Sequence, residues 1–94
     1  MSIGILTIHL RFSFINSLKS KRSLIKPLII QLRREFNIST AKINLNDKCK
    51  EAIIGIVIIS NSKQHCLKVL QRIIPYIENK YPDIYILNSD IELL

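Results

Sequence analysis

Apolar side chains recur along this 94-residue chain at two spacings, and the shorter spacing predicts four β-strands. Residues 3–12 and 38–45 alternate between apolar and polar positions, which places every second side chain on the same face of a sheet. Residues 52–59 are apolar on both faces, as a central strand is, and residues 83–93 follow a proline and alternate again. The side chains predicted to share a face are Gly4, Leu6, Ile8, Leu10 and Phe12 in the first strand, Ala41, Ile43 and Leu45 in the second, and Tyr85, Leu87, Ile91 and Leu93 in the last. We expect the first two sets to face the interior.

The longer spacing, of three or four residues, predicts two amphipathic helices. Residues 17–36 form the first, and the second follows the capping residues at 60–62 and ends near Lys80. Pro27 lacks a backbone N–H and crowds the preceding turn, so a first helix that begins only at Lys26, after a basic loop, is the alternative. The predicted buried faces are Leu24, Ile25, Leu28, Leu32 and Phe36 in the first helix, and Cys66, Leu67, Leu70, Ile73, Ile74 and Ile77 in the second.

The elements therefore follow one another in the order β-α-β-β-α-β. A chain of this length holds one hydrophobic core, so we expect residues 1–94 to form a single domain. Two right-handed crossovers in this order favour an α+β ferredoxin-like sandwich. Such a fold has a four-stranded antiparallel sheet with both helices on one face.

The polar face of the first helix is strongly cationic. Lys19, Arg22, Lys26 and Arg33 fall within an arc of about 60° on a helical wheel. Net charge is +7 for the whole chain, but residues 1–50 carry +8 and residues 51–94 carry −1. This asymmetry favours a face that meets a polyanion such as nucleic acid, although a basic face that only keeps the protein in solution is the simpler reading. The residues predicted to contact phosphates are Lys19, Lys21, Arg22, Lys26, Arg33 and Arg34, with Lys42 at the rim.

The sheet face opposite the helices is predicted to be apolar over two neighbouring strands. A contiguous apolar patch on a surface usually marks an interface. We expect this patch to form a homodimer face to face, with a partner protein or a chain terminus as the alternative covering. The predicted interface residues are Ile3, Ile5, Ile53, Val57 and Ile59.

Several function classes find no support in the sequence. The longest apolar run is far shorter than the roughly 20 residues that span a bilayer, and no signal-peptide cleavage site is recognisable, so a cytoplasmic protein with no membrane partner is expected. Cys49 and Cys66 do not form a disulfide scaffold, and their spacing relative to His9 and His65 does not resemble a zinc site. We therefore predict no metal and no cofactor.

Catalysis is not expected either. Acylphosphatases share the predicted fold and length, but they need a glycine-containing phosphate cradle after the first strand, and the loop SFINSLKSKR contains no glycine. No arrangement of Ser, His and Asp, of Cys and His, or of paired carboxylates is recognisable. His9 is interpreted as a histidine of the sheet surface.

The motif S-L-K-x-K-R, followed by K, by L-R-x-x-F-N-[VI]-S and by a strand ending in S-N, resembles the bacterial YlxP-like domain of unknown function. The resemblance spans essentially the whole chain. It implies a ferredoxin-like fold in a small cytoplasmic protein, and some members of the family are labelled as ribosome-binding factors, but it brings no established activity or catalytic residue. The matching positions are Ser17, Leu18, Lys19, Lys21, Arg22, Lys26, Leu32, Arg33, Phe36, Asn37, Ile38, Ser39, Ser60 and Asn61.

These observations leave three functions to weigh. The first is a non-enzymatic accessory factor that binds rRNA or a ribosomal subunit through the basic first helix, where phosphate contacts give affinity without sequence choice. The second is a homodimeric protein-interaction or regulatory module without nucleic-acid binding. An enzyme is third, and binding to a membrane surface is disfavoured because the core needs the apolar face of the helix.

Overall fold

The computed structural model describes residues 1–44 and 49–94 and confirms the ferredoxin-like sandwich. A four-stranded antiparallel sheet has the strand order β2-β3-β1-β4, and both helices pack against it. The elements are β1 (Ser2–Arg11), α1 (Leu18–Glu35), β2 (Ser39–Asn44), β3 (Glu51–Ser60), α2 (Lys63–Lys80) and β4 (Tyr85–Leu93).

The core lies between the helices and one face of the two central strands. β1 and β3 pair along their whole length, and both show alternation of buried and partly exposed side chains. The alternation arises because successive side chains of a strand point to opposite faces. The buried set from these strands is Leu6, Ile8, Leu10, Ala52, Ile54, Ile56 and Ile58, and it meets Ile25, Leu28 and Leu32 of α1 and Leu70, Ile73 and Ile77 of α2.

Both helices begin at serine caps. The hydroxyl of Ser17 accepts a hydrogen bond from the backbone N–H of Ser20, and Ser62 does the same for His65. α1 then continues through Pro27 to Glu35, so the alternative helix that begins at Lys26 is wrong. The basic residues before Pro27 are consequently held on a helix and not in a loop.

The side chains of β2 lie on the opposite sides of the sheet from those predicted. Thr40 is only 2% exposed, whereas Ala41 and Ile43 lie on the open face, where Ile43 is 58% exposed. The inward positions of β2 are Thr40 and Lys42, because they pair with Ile56 and Ile54, whose side chains are buried on the helix side of the sheet. Ile43 fits on the open face because Gly55 leaves room for it: Ile43 Cδ1 occupies the space that a Cβ at residue 55 would need. The predicted position of Leu45 lies outside the described residues.

β4 does not present the single apolar face predicted for it. Tyr85 pairs with Arg11 on the open face of the sheet, whereas Ile91 pairs with Leu6 on the helix side. A register shift in the pairing with β1, between His9 and Leu10, separates the two ends of the strand. Because such an irregularity reverses the alternation, one continuous period of two cannot describe this strand.

Candidate functional site

The outer surface of α1 carries an exposed row of cations. In the described part of the chain, none of these side chains forms an ion pair with a carboxylate within 4 Å. Their charge is therefore available to a ligand, and the capped helix holds them on a rigid element. The exposed members, called the α1 cations below, are Lys19, Arg22, Lys26, Arg33 and Arg34.

Lys21 does not belong to this surface, although the sequence predicted a phosphate contact for it. Its side chain is 1% exposed, and its Nζ donates a hydrogen bond of 3.1 Å to the backbone oxygen of Glu51. The burial follows from the position of Lys21 on the helical wheel. Lys21 precedes Ile25 by four residues and Leu28 by seven, and these spacings place all three side chains on the same side of the helix. Lys21 therefore joins α1 to the start of β3 inside the protein.

Lys42 approaches the α1 cations from the neighbouring strand. Because β2 faces the opposite way from the prediction, Lys42 lies on the helix side of the sheet, where its partner in the register is Ile54. It lines a cleft of about 490 Å³ between α1 and β2, called the α1–β2 cleft below. Its lining consists of Arg22, Ile25, Lys26, Ile29, Ile30 and Arg33 from α1 and of Thr40, Ala41 and Lys42 from β2.

A second groove, of about 600 Å³, runs along the other side of the exposed ridge of α1. Arg22, Lys26 and Ile30 line both hollows, and Arg34 lies in the second one. The two hollows therefore form one basic surface that extends across the helix. The remaining residues of the second groove are Ser23, Pro27 and Gln31.

Hydrogen bonds fix the walls of both hollows. The guanidinium of Arg33 donates to the backbone oxygen of Thr40, which ties α1 to β2 beside the first cleft. Gln31 Nε2 donates to the hydroxyl of Tyr76 at 3.0 Å, and the Tyr76 ring packs edge-on against Phe36 at 5.3 Å between centroids. These contacts join α1 to both of its neighbours, so the surface is largely preformed.

The open sheet face carries the five predicted interface residues. Ile3 pairs with Ile59 and Ile5 with Val57, which makes their side chains direct neighbours on adjacent strands, and Ile53 pairs with His9. Ile59 is 63% exposed, and the other four are partly exposed. His9 Nε2 lies 2.7 Å from Glu51 Oε1 at the end of this face, so the histidine has a structural partner.

Residues 1–44 and 49–94 give no support for a metal site or a membrane-spanning helix. No group of three or more His, Cys, Asp or Glu side chains lies together there in a way that would hold a metal ion. Cys66 is buried in the core beneath β1, whereas Cys49 is partly buried. Neither helix is long and apolar enough to cross a bilayer.

Comparison with known proteins assigns a family. A family described as a protein of unknown function, DUF503, matches residues 3–91. The chain belongs to the DUF503 family. It is also 32% identical over 68 residues to the uncharacterized protein YlxP of Bacillus subtilis (strain 168), an alignment that covers 72% of this chain and 73% of that protein. Both findings confirm the resemblance inferred from the sequence motif.

Similar solved structures support the fold of the DUF503 chain. A de novo designed protein with ferredoxin fold matches all of it with a TM-score of 0.54, at 12% identity and over 83% of the designed chain. A mutant of SnoaB, a cofactor-independent oxygenase from Streptomyces nogalater, matches 99% of it with a TM-score of 0.53, over 90% of its own length and at 8% identity. At such low identity the likeness shows the fold alone.

The contribution of β2 to the lining of the α1–β2 cleft does not follow from the sequence pattern of the DUF503 chain. The predicted alternation assigns Thr40 to the outer face, and it gives Ile29 and Ile30 no role. The sequence does contain a signal for Ile30, which lies outside the apolar face of the helical wheel and is exposed in the structure, whereas Ile29 borders that face and packs partly against the core. The position of Thr40 depends on the phase of β2, which the alternation alone does not fix.

Proposed function

We propose that this protein is a non-enzymatic accessory factor that binds RNA, specifically rRNA or a ribosomal subunit, through the α1 cations and Lys42. The observation that carries the proposal is that four of the α1 cations and Lys42 line two adjoining hollows, and that those on α1 have no carboxylate partner among the described residues. Lys19 extends the row at the start of the helix. A concentration of cations on one rigid face is typical of proteins that bind a phosphate backbone.

The dimensions of the surface fit a chain of phosphates better than a single small anion. From Lys19 to Arg34, α1 rises by about 22 Å at 1.5 Å per residue. A ligand that neutralises cations over this distance carries several negative charges. Phosphate contacts of this kind give affinity without sequence choice, and they weaken as salt rises because the release of counterions then gains less free energy.

The open sheet face does not support the alternative way in which a four-stranded sheet binds RNA. RNA-recognition motifs stack bases on aromatic side chains in the centre of the sheet. The open-face positions of the two central strands, β1 and β3, carry no Phe, Tyr or Trp, and Tyr85 lies on the edge strand β4. The helix side is therefore the surface that we assign to RNA.

Sedimentation with purified ribosomal subunits, over a series of salt concentrations, tests this proposal. We expect the protein to sediment with one of the subunits at low salt and to be released steeply as salt rises. The control is the Arg22→Glu/Lys26→Glu variant, which is expected to remain in the supernatant. Failure of the wild-type protein to sediment with either subunit at low salt would refute the ribosomal assignment.

The open sheet face favours a second candidate function, a homodimeric protein-interaction or regulatory module. The specific observation is that Ile3, Ile5, Val57 and Ile59 are contiguous across β1 and β3 and at least partly exposed. A second copy is the occupant we propose, because apolar side chains gain free energy when a matching apolar face covers them. This surface lies on the side of the sheet opposite α1, so dimerisation does not compete with RNA binding.

A further inference from the structure

We propose that the α1–β2 cleft binds a single unstacked nucleotide of a single-stranded RNA segment. This inference rests on the proposed RNA-binding function and adds to it a place where a base enters the protein. A cleft of about 490 Å³ lies within the size range of small-ligand sites, whereas a phosphate group alone would leave most of it empty. The ligand that fits this cleft therefore has a bulky uncharged part in addition to its negatively charged group.

The hydroxyl of Thr40 supports the presence of a ligand. Thr40 forms part of the cleft wall, and its Oγ1 is buried without a hydrogen-bond partner among the described residues. Buried polar groups are almost always paired, and an unpaired one costs free energy. Because Thr40 lines the cleft, a hydrogen-bonding group that enters between α1 and β2 would provide a partner for this hydroxyl. The exocyclic and ring atoms of a base provide both donors and acceptors for it.

The rest of the lining matches the two chemical parts of a nucleotide. Ile29 and Ile30 offer an apolar surface for the face of a base. Arg33 contributes a planar guanidinium that its hydrogen bond to the Thr40 carbonyl holds in place. RNA-binding proteins use guanidinium planes as well as aromatic rings to stack unpaired bases. Positive charge for the phosphates comes from the other cations of the lining, Arg22, Lys26 and Lys42.

This geometry selects single-stranded RNA over a duplex. In a duplex the bases remain stacked and paired, so only phosphates reach the helix, and the cleft contributes nothing. An unpaired base enters the cleft without the cost of breaking a pair. Single strands should therefore bind more tightly than duplexes that offer the same number of phosphates.

The test compares the Thr40→Val variant with the wild-type protein, using a single-stranded RNA of about ten nucleotides and a duplex of matched phosphate number, by fluorescence anisotropy. Valine has nearly the same shape as threonine and replaces the hydroxyl with a methyl group, so the fold is retained. We expect the variant to bind the single strand about fivefold more weakly, which is the effect of one hydrogen bond, and to bind the duplex unchanged. The matched control is Thr7→Val, the same change on the open sheet face, where no effect is expected.

A second variant, Ile30→Ala, removes apolar surface from the cleft at an exposed helix position where alanine is well tolerated. It should also weaken the single strand selectively. If the wild-type protein binds neither RNA, the proposed function itself fails. If it binds both equally and neither variant changes the affinity, RNA binding stands and the nucleotide site is refuted. If either variant weakens both RNAs to the same extent, the cleft serves only the phosphate surface and the inference is also overturned.

Discussion

Lys21 is a cation in the core of a basic protein, and its position has a definite energetic basis. Burying an ammonium group is unfavourable unless hydrogen bonds replace its water. The carbonyl oxygen of Glu51 supplies one such bond, at the first residue of β3. The side chain thereby links the first turns of α1 to β3, one of the two central strands, so we assign it a structural role.

The different roles of Lys21 and Lys26 can be separated by the same substitution. Lys26→Met removes an exposed cation from the proposed RNA surface, so we expect the log–log slope of RNA affinity against salt to become about 1 unit shallower. Lys21→Met removes a buried ammonium and should leave this slope unchanged. Fluorescence anisotropy at several salt concentrations measures both. An equal loss of slope in Lys21→Met would show that its ammonium contacts RNA after all.

Single residues also show how far the sequence predicts the site. The positions of Lys19, Arg22, Lys26 and Arg33 on one face follow directly from helical periodicity. The same wheel places Lys21 on the side of the apolar residues, so its burial is predictable in principle, but the general tendency of lysine to lie on the surface argues against it. The burial of Thr40 is not predictable, because it depends on how β2 continues from α1.

Close contact between α2 and β1 explains one of the two glycines. A Cβ at Gly4 would lie 2.9 Å from Leu70 Cδ1, 3.1 Å from Ile58 Cγ2 and 3.3 Å from Cys66 Cβ. All three neighbours are buried and packed, so none of them moves easily. The glycine lets α2 lie directly against the strand, which in turn fixes the position of the helix beside α1.

We therefore expect Gly4→Ala to lower the free energy of unfolding by about 1 to 3 kcal/mol, through overpacking. Gly55→Ala is the matched control on the opposite face. Its added methyl group meets only the exposed side chain of Ile43, which can rotate away, so the change should stay below about 1 kcal/mol. Urea denaturation of the two variants measures the difference. Equal stabilities would mean that α2 does not pack as closely on β1 as the structure shows.

The elements themselves are largely predictable from the sequence. Which side of the sheet each side chain of the edge strands occupies is not. The long periodic segments β1, β3, α1 and α2 each bury a face against the core, so their patterns carry strong information. β2 and β4 lie at the edges of the sheet, where fewer contacts constrain each side chain. A register irregularity in each of them breaks the simple alternation.

The whole molecule presents two surfaces of different character on opposite sides of one sheet. The helix side carries the α1 cations, and the open side carries the aliphatic patch of β1 and β3. A second copy packed on the open face would leave both α1 surfaces uncovered and pointing outward. A homodimer would thus display two RNA surfaces and bind a large RNA with greater avidity than a monomer.

Val57→Lys tests the dimer, because it places a charge in the centre of the aliphatic patch beside Ile5. We expect a shift from dimer to monomer in sedimentation equilibrium, since burying an unpaired ammonium in an interface is unfavourable. Ile30→Lys, at an exposed apolar position on α1, is the control that should leave the mass unchanged. A wild-type protein that is already monomeric at high concentration would contradict the proposed interface.

The central claim is that RNA affinity depends on where the charges lie and not on net charge alone. Its most direct test is the salt dependence of RNA affinity in two double variants, Arg22→Glu/Lys26→Glu on α1 and Lys63→Glu/Lys68→Glu on α2, all four positions being exposed. Both variants lower the net charge equally, and both avoid Arg33, whose hydrogen bond to β2 supports the fold. We predict a log–log slope of about −3 to −5 for the wild-type protein, a loss of affinity of about tenfold or more in the α1 variant, and a change within about twofold in the α2 variant. Equal losses in the two variants, or an affinity that does not respond to salt, would contradict the account.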